Sequence, residues 1–257
     1  MRFVLAPALA AALLSAGIAQ AADTIRVGVE GNYPPFSQVA PDGSLSGFDI
    51  DIANALCGEI GKSCEMVKTE WDGIIPALVE GKCDAIIASM SITEQRRQVI
   101  DFTTKYYNTP AKFIAAKGAG LTDTPEGMKG KTVGVQRGTI HQDFMEGEFP
   151  DVDLKLYGTQ DEVYLDLQAG RIDAAMADSV AMDEGFLKTE AGQGFEFFGQ
   201  DYSVPKYHGD GAGIGVRKGD DALRESLNAA IKAIRASGQY NEIANKYFDF
   251  DIFGGEV

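Results

Sequence analysis

Arg96 closes the run Ser89-Met90-Ser91-Ile92-Thr93-Glu94-Gln95-Arg96, just past an apolar segment that ends at Ala88. Thr93 suits a helix N-cap, so Arg96 falls in a first helical turn, where a cation opposes the helix dipole. That placement makes sense if the guanidinium gives its forked donors to a carboxylate held beside Ser89 and Ser91. A surface salt bridge is the plainer alternative. A second anion-receiving turn is written in Val135-Gln136-Arg137-Gly138-Thr139-Ile140-His141: a strand end, a glycine turn and a helix start whose N–H groups near Thr139 can receive the same carboxylate. Asp178, after Ala174-Ala175-Met176-Ala177, can accept from an ammonium or cap the helix starting at Ser179. Glu30 follows Ile25-Arg26-Val27-Gly28-Val29 and precedes Gly31-Asn32-Tyr33-Pro34-Pro35-Phe36, either as a partner for a cation or as a solvated loop acid. Tyr33 and Trp71, the only tryptophan, can wall such a cation for about 0.5–2 kcal/mol of cation–π attraction. Trp71 serves equally well as a core anchor. Acidic and basic partners in separate halves of the chain imply a zwitterionic ligand.

The elements that position these residues alternate β and α. Ile25–Val29 reads as a strand, and the stretch from Ile50 to Ile60 carries Ile52, Leu56 and Ile60 on one helical face. A helix from Gly73 to Glu80 then feeds the apolar strand Ala85-Ile86-Ile87-Ala88. The later half repeats the scheme with Thr132-Val133-Gly134-Val135, a helix from Thr139, a helix bearing Val163, Leu165 and Leu167, and the strand Ala174–Ala177. Gly81-Lys82-Cys83-Asp84-Ala85 before one strand matches Gly170-Arg171-Ile172-Asp173-Ala174 before the other. The fold class is α/β with two similar lobes, each a mostly parallel sheet flanked by helices. Tyr106-Tyr107-Asn108-Thr109-Pro110 and Pro205-Lys206-Tyr207-His208-Gly209-Asp210-Gly211 are candidate hinge crossings. The lobes are then 22–108 with 209–257, and 109–208. Two amphipathic C-terminal helices, carrying Leu223, Leu227, Ile231 and Ile234, then Tyr240, Ile243, Tyr247 and Phe248, are expected to pack rather than bind.

Arg2, an apolar run from Phe3 to Ile18 and Ala19-Gln20-Ala21 make residues 1–21 a secretory signal peptide by expectation, with no cysteine at the junction for lipid attachment. The formal charge of −15 argues against nucleic acid and anionic membranes, and weakly favours a cationic ligand. Of three cysteines, Cys57 and Cys64 are the natural disulfide pair, because a helix end plus turn between them brings two Cα atoms within bridging distance; Cys83 is then a buried free thiol. His141 and His208 lie far from any cysteine cluster, so no metal or other cofactor is expected. No nucleophile–base pair and no phosphate loop is legible, which argues against an enzyme.

The motifs Gly47-Phe48-Asp49-Ile50-Asp51, Ser91–Arg96, Gly134–Thr139 and Lys246-Tyr247-Phe248-Asp249 resemble the periplasmic polar amino-acid-binding proteins of ABC importers, solute-binding protein family 3, over essentially the whole mature chain. The resemblance implies a type II periplasmic-binding-protein fold and a periplasmic monomer that passes a basic L-amino acid to a membrane permease. By the same resemblance Arg96 and the Thr139 turn hold the α-carboxylate, and Asp178, Ser89 and Ser91 hold the α-ammonium. Tyr33 and Trp71 flank the side chain, and Glu30 faces the distal cation. The segment from Gln136 through His141 looks closest to arginine binders, ahead of lysine, ornithine and histidine binders. Ala88 departs from the serine of some members, and Ile140 from a common threonine. The longer acid Glu30 with Ala88 is also similar to opine binders. A dehydratase-type enzyme and a chemoreceptor-presenting subunit are further uses of this scaffold.

Overall fold

The computed structural model describes residues 24–255, and the leader expected over residues 1–21 lies outside them. One five-stranded sheet orders its strands Ser63–Lys68, Thr24–Val29, Ala85–Ile86, Ala212–Arg217 and Ile100–Tyr107. The other orders Asp153–Tyr157, Thr132–Gln136, Ala174–Asp178, Ala111–Ala116 and Phe195–Tyr202. In each sheet only the fourth strand in this order runs antiparallel to its neighbours. Those two strands, Ala111–Ala116 and Ala212–Arg217, are the ones by which the chain enters one sheet from the other. The architecture is the two-lobed, mostly parallel α/β arrangement expected from the sequence.

The repeated five-residue pattern has a physical role in both lobes. Gly81 and Gly170 follow helix ends with φ of 75° and 66°, a left-handed conformation that glycine adopts without a Cβ penalty. Asp84 Oδ2 then accepts from the backbone N–H of Arg26 at 3.0 Å, and Asp173 Oδ2 from that of Thr132 at 2.8 Å. The aspartates' own N–H groups bond the carbonyls of the same two residues. Each carboxylate thus ties the incoming strand to the first parallel strand of its lobe.

Helices cover both faces of each sheet. In the first lobe Phe48–Glu59 and Asp221–Ser237 bury Ile52, Leu56, Leu227 and Ile231 against Val27 and Val29, while Trp71–Val79 buries Ile74 and Leu78 against Ile86 and Phe102. In the second lobe Ile140–Glu148 packs Phe144 against Val133 and Val135, and Gln160–Gln168 packs Val163 and Leu167 against Ala175. Leu165 faces outward, because two residues' advance from Val163 rotates it off the buried stripe. The last helix stops at Ala244, so Tyr247 and Phe248 lie beyond it, yet Phe248 still joins the first lobe's core. Cys57, in the last turn of its helix, is bonded to Cys64 with Cα atoms 5.8 Å apart, and Cys83 is free and buried.

Gly47 shows what its motif is for. Its φ is 128°, and a Cβ there would stand 2.3 Å from the Phe36 carbonyl oxygen. The close approach lets Phe48 fill the core and aims Asp49, fully buried, at the strand ends. Asp51 meets the C-terminal motif: Lys246 Nζ lies 3.0 Å and the Tyr247 hydroxyl 3.1 Å from its Oδ2.

Candidate ligand-binding site

Glu30, Gln136 and Asp178 stand at the carboxyl ends of parallel strands, and Ser89 and Ser91 follow the strand Ala85–Ile86. These are the positions at which open α/β sheets receive ligands. Glu30, Tyr33, Trp71, Ser89, Ser91 and Arg96 from the first lobe, with Gln136, Thr139, His141 and Asp178 from the second, line one cavity. All ten sequence-selected residues therefore come together. Ala88 and Ile140 complete its wall, as does Gln160, which sequence reasoning missed. A signal for Gln160 was present: Thr159 and Glu162 form a capping box that starts a helix at Gln160, just past the strand Asp153–Tyr157.

Glu30 is 3% exposed, and Gln136 Nε2 donates to its Oε1 at 2.5 Å. Burial raises its carboxyl to about 7, against the stabilising Gln136 bond. So deeply buried, Glu30 is not a solvated loop acid, and no basic side chain pairs with it among the described residues.

Asp178 accepts from the Tyr33 hydroxyl at 2.9 Å through Oδ2 and from Thr109 Oγ1 at 3.2 Å through Oδ1. Burial lifts it to about 6, with both hydroxyl bonds opposing. It sits at the N-cap of Ser179–Met182 but makes no side-chain cap bond, so the capping alternative does not hold.

Arg96 follows the Thr93 cap as expected, with Thr93 Oγ1 accepting its N–H. Its Nη1 donates to the Ser91 carbonyl at 2.9 Å and its Nη2 to the Gly138 carbonyl at 3.3 Å. The guanidinium also lies 5.3 Å from the Trp71 ring centroid. Trp71 Nε1 donates to the same Gly138 carbonyl at 3.3 Å, so Trp71 bridges the cleft besides packing in the core. Burial lowers Arg96 to about 10, while Asp143 and Asp178 act to raise it. Arg96 forms no salt bridge among the described residues, which removes the surface-ion-pair alternative.

Ser89 has φ of 54° and gives its hydroxyl to Asp49 Oδ2 at 3.0 Å, while its N–H meets the Tyr106 hydroxyl at 3.1 Å. Its hydroxyl is thus engaged within its own lobe. Thr139 caps Ile140–Glu148 and donates to the Gln136 carbonyl at 2.7 Å. The Gly138 N–H is taken by Gln142 Oε1 at 2.8 Å. His141 is buried with Nδ1 unpartnered. Burial and then Arg96 push it down to about 3, so at neutral pH it is an uncharged ring 3.9 Å from Asp178 rather than an ion-pair partner.

Acids at two corners, a guanidinium at a third and aromatic rings along the wall, in a cleft bounded by both lobes, fit a small zwitterion. A family profile described as bacterial extracellular solute-binding proteins, family 3, matches residues 25–250. This chain belongs to that family. The solute-binding protein is 48% identical to the L-arginine-binding protein of Pseudomonas aeruginosa over 98% of both chains. It is 43% identical to the histidine-binding periplasmic protein of Escherichia coli strain K12 over 99% of both. A Salmonella typhimurium periplasmic binding protein, solved to explain its high arginine specificity, superposes with a TM-score of 0.82 at 34% identity, covering 88% of this chain and 100% of that one. All three relatives are binding proteins by name.

Proposed function

We propose that this solute-binding protein captures a basic L-amino acid, arginine before ornithine, lysine or histidine, in the periplasm and delivers it to the membrane permease of an ABC importer. One observation carries the choice of ligand: Glu30 is buried in the cavity that Tyr33 also lines, raised to about 7 and without a cation of its own. A buried carboxylate is costly unless paired, so the ligand is the natural source of the charge. The names of the Pseudomonas and Salmonella relatives point the same way.

In this reading Arg96 turns from backbone carbonyls to the α-carboxylate, with the Thr139 turn behind it. Asp178 receives the α-ammonium with the Ser89–Ser91 segment, Tyr33 and Trp71 flank the side chain, and Glu30 takes the distal cation. The lobes 22–108 with 209–257 and 109–208 move about the crossings at 106–110 and 205–211. Ligand favours the closed form because it touches both lobes, and only differential contact shifts such populations. The protein works as a monomer.

Calorimetry on Glu30→Gln tests the reading. Arginine affinity is expected to fall at least about tenfold, since a charged hydrogen-bonded partner is lost, while a neutral amino acid such as glutamine is barely affected. Equal losses refute the distal-cation role. The raised carboxyls Glu30 and Asp178 would also suit a proton-transferring enzyme on this scaffold. Turnover of prephenate-like acids would favour that second reading, and none is expected.

A further inference from the structure

Gln160 opens the helix Gln160–Gln168, fixed by a capping box in which Thr159 Oγ1 accepts from Glu162 N and the Glu162 carboxylate accepts from Thr159 N. Its side chain is 2% exposed and lines the cavity. It belongs to the Glu30 end, because Gln136 Nε2 donates both to Glu30 and to the carbonyl of Gly158, just upstream of Gln160. The Gln160 amide nitrogen has no partner, and neither has the hydroxyl of Tyr164, about one helical turn on. Tyr164 itself is fixed by stacking on Phe186 at 4.4 Å with 6° between the ring planes. The Gln160 amide is the side-chain hydrogen-bonding neighbour of the Tyr164 hydroxyl. A small rotation that seats the amide nitrogen on the Tyr164 oxygen pairs both groups and leaves the amide oxygen for the cavity.

We propose that Gln160, steered by Tyr164, is a specificity-determining residue that supplies a second acceptor for a planar multi-donor cation, a guanidinium, and so favours it over an ammonium. The inference rests on the basic-amino-acid reading above. Donor counting gives the reason. A guanidinium presents five N–H groups in a fixed fork and an ammonium three rotatable ones. Glu30 has only two oxygens, one of which already accepts from Gln136. An ammonium can be satisfied around one carboxylate, whereas the far edge of a guanidinium needs another acceptor in a cavity where an unmade bond is costly.

Calorimetry of the full chain with L-arginine and L-lysine tests this on wild type, Gln160→Leu, Gln160→Glu and Tyr164→Phe. Gln160→Leu is expected to weaken arginine about tenfold or more and lysine less than about threefold. Gln160→Glu keeps an acceptor and is expected to hold or strengthen arginine. Tyr164→Phe should lower the arginine-to-lysine preference by a smaller factor, as a residue acting only through Gln160. Equal changes for both ligands in Gln160→Leu overturn the specificity role, and an unchanged preference in Tyr164→Phe overturns the steering. Should Gln160→Leu fail to fold, loss of arginine in a folded Gln160→Glu overturns the proposal instead. A wild type that binds neither ligand overturns the basic-ligand reading itself; one that binds arginine with the preference unmoved in every variant overturns this inference alone.

Discussion

Tyr33 and Asp178, 145 residues apart in the chain, meet across the cleft through a hydrogen bond of 2.9 Å from the phenol to Oδ2. The phenol comes from the first lobe and the carboxylate from a strand end of the second. A bond of this kind exists only while the lobes are closed. It also orients the carboxylate proposed above to meet the ligand's ammonium.

Removing that hydroxyl is therefore expected to act on release. In Tyr33→Phe the arginine dissociation rate should rise about three- to tenfold, the range for one hydrogen bond to a charged group. Stopped-flow displacement measures it, and an unchanged off-rate would detach Tyr33 from closure.

Arg96 tests the other end of the ligand. Arg96→Ala is expected to lower arginine affinity by at least about a hundredfold, because a forked donor pair leaves a buried carboxylate unmatched. Far-UV circular dichroism should stay native, since Arg96 bonds only carbonyls here. Retained affinity with a native spectrum would sink the carboxylate role.

The buried acids give a pH signature. Glu30 stands at about 7 and Asp178 at about 6, both raised chiefly by burial. A carboxyl raised in the folded state stabilises the fold below its ordinary value, and that contribution is lost as pH climbs through the raised one. For Glu30 the window runs from the usual 4.5 to about 7. The ligand-free protein should lose this stability across the window, and arginine should offset the loss by supplying cations. The increase in melting temperature with saturating arginine is expected to be larger near pH 7.5 than near pH 5. A pH-independent increase contradicts the assignment.

Gly47→Ala isolates a structural demand. The new Cβ would meet the Phe36 carbonyl oxygen at 2.3 Å, at a φ of 128°. A loss of about 2–4 kcal/mol in urea unfolding is expected, from backbone strain and the displaced turn. A loss below about 0.5 kcal/mol, the scale of an ordinary surface change, would mean that the turn relaxes freely.

Four of the parallel strands, at Ile25–Val29, Ala85–Ile86, Thr132–Val135 and Ala174–Ala177, were legible with their helices because each carries its own period and is bounded by a turn, as at Gly81 and Gly170. The residues that line the cavity were legible because they follow strands or open helices, where side chains beyond the sheet can meet. Several strands were not, Asp153–Tyr157 among them. Ala111–Ala116 and Phe195–Tyr202 take their place through partners far along the chain, Ala174–Asp178 and each other, so local periodicity carries little of the information. The final helix was read too long because Tyr247 and Phe248 keep an apolar spacing after the backbone has left the helix, held instead by Asp51 and the core. Gln160 was hidden for a different reason: a glutamine at the head of a capped helix looks like ordinary surface until the opposite lobe covers it. Ser89 is a candidate by residue type, and type does not say that its hydroxyl turns to Asp49.

The strand Ala212–Arg217 lies between Ala85–Ile86 and Ile100–Tyr107, although more than a hundred residues separate it from either in the chain. Until it arrives, two strands of the first lobe face an open slot with unpaired amides. The second lobe has no such debt, since all of its strands fall between 111 and 202. Assembly thus has a built-in order: the inserted half can be finished first, and the half that was synthesised earliest is completed last. A polypeptide emerging from its N-terminus remains unfinished until almost all of it is out.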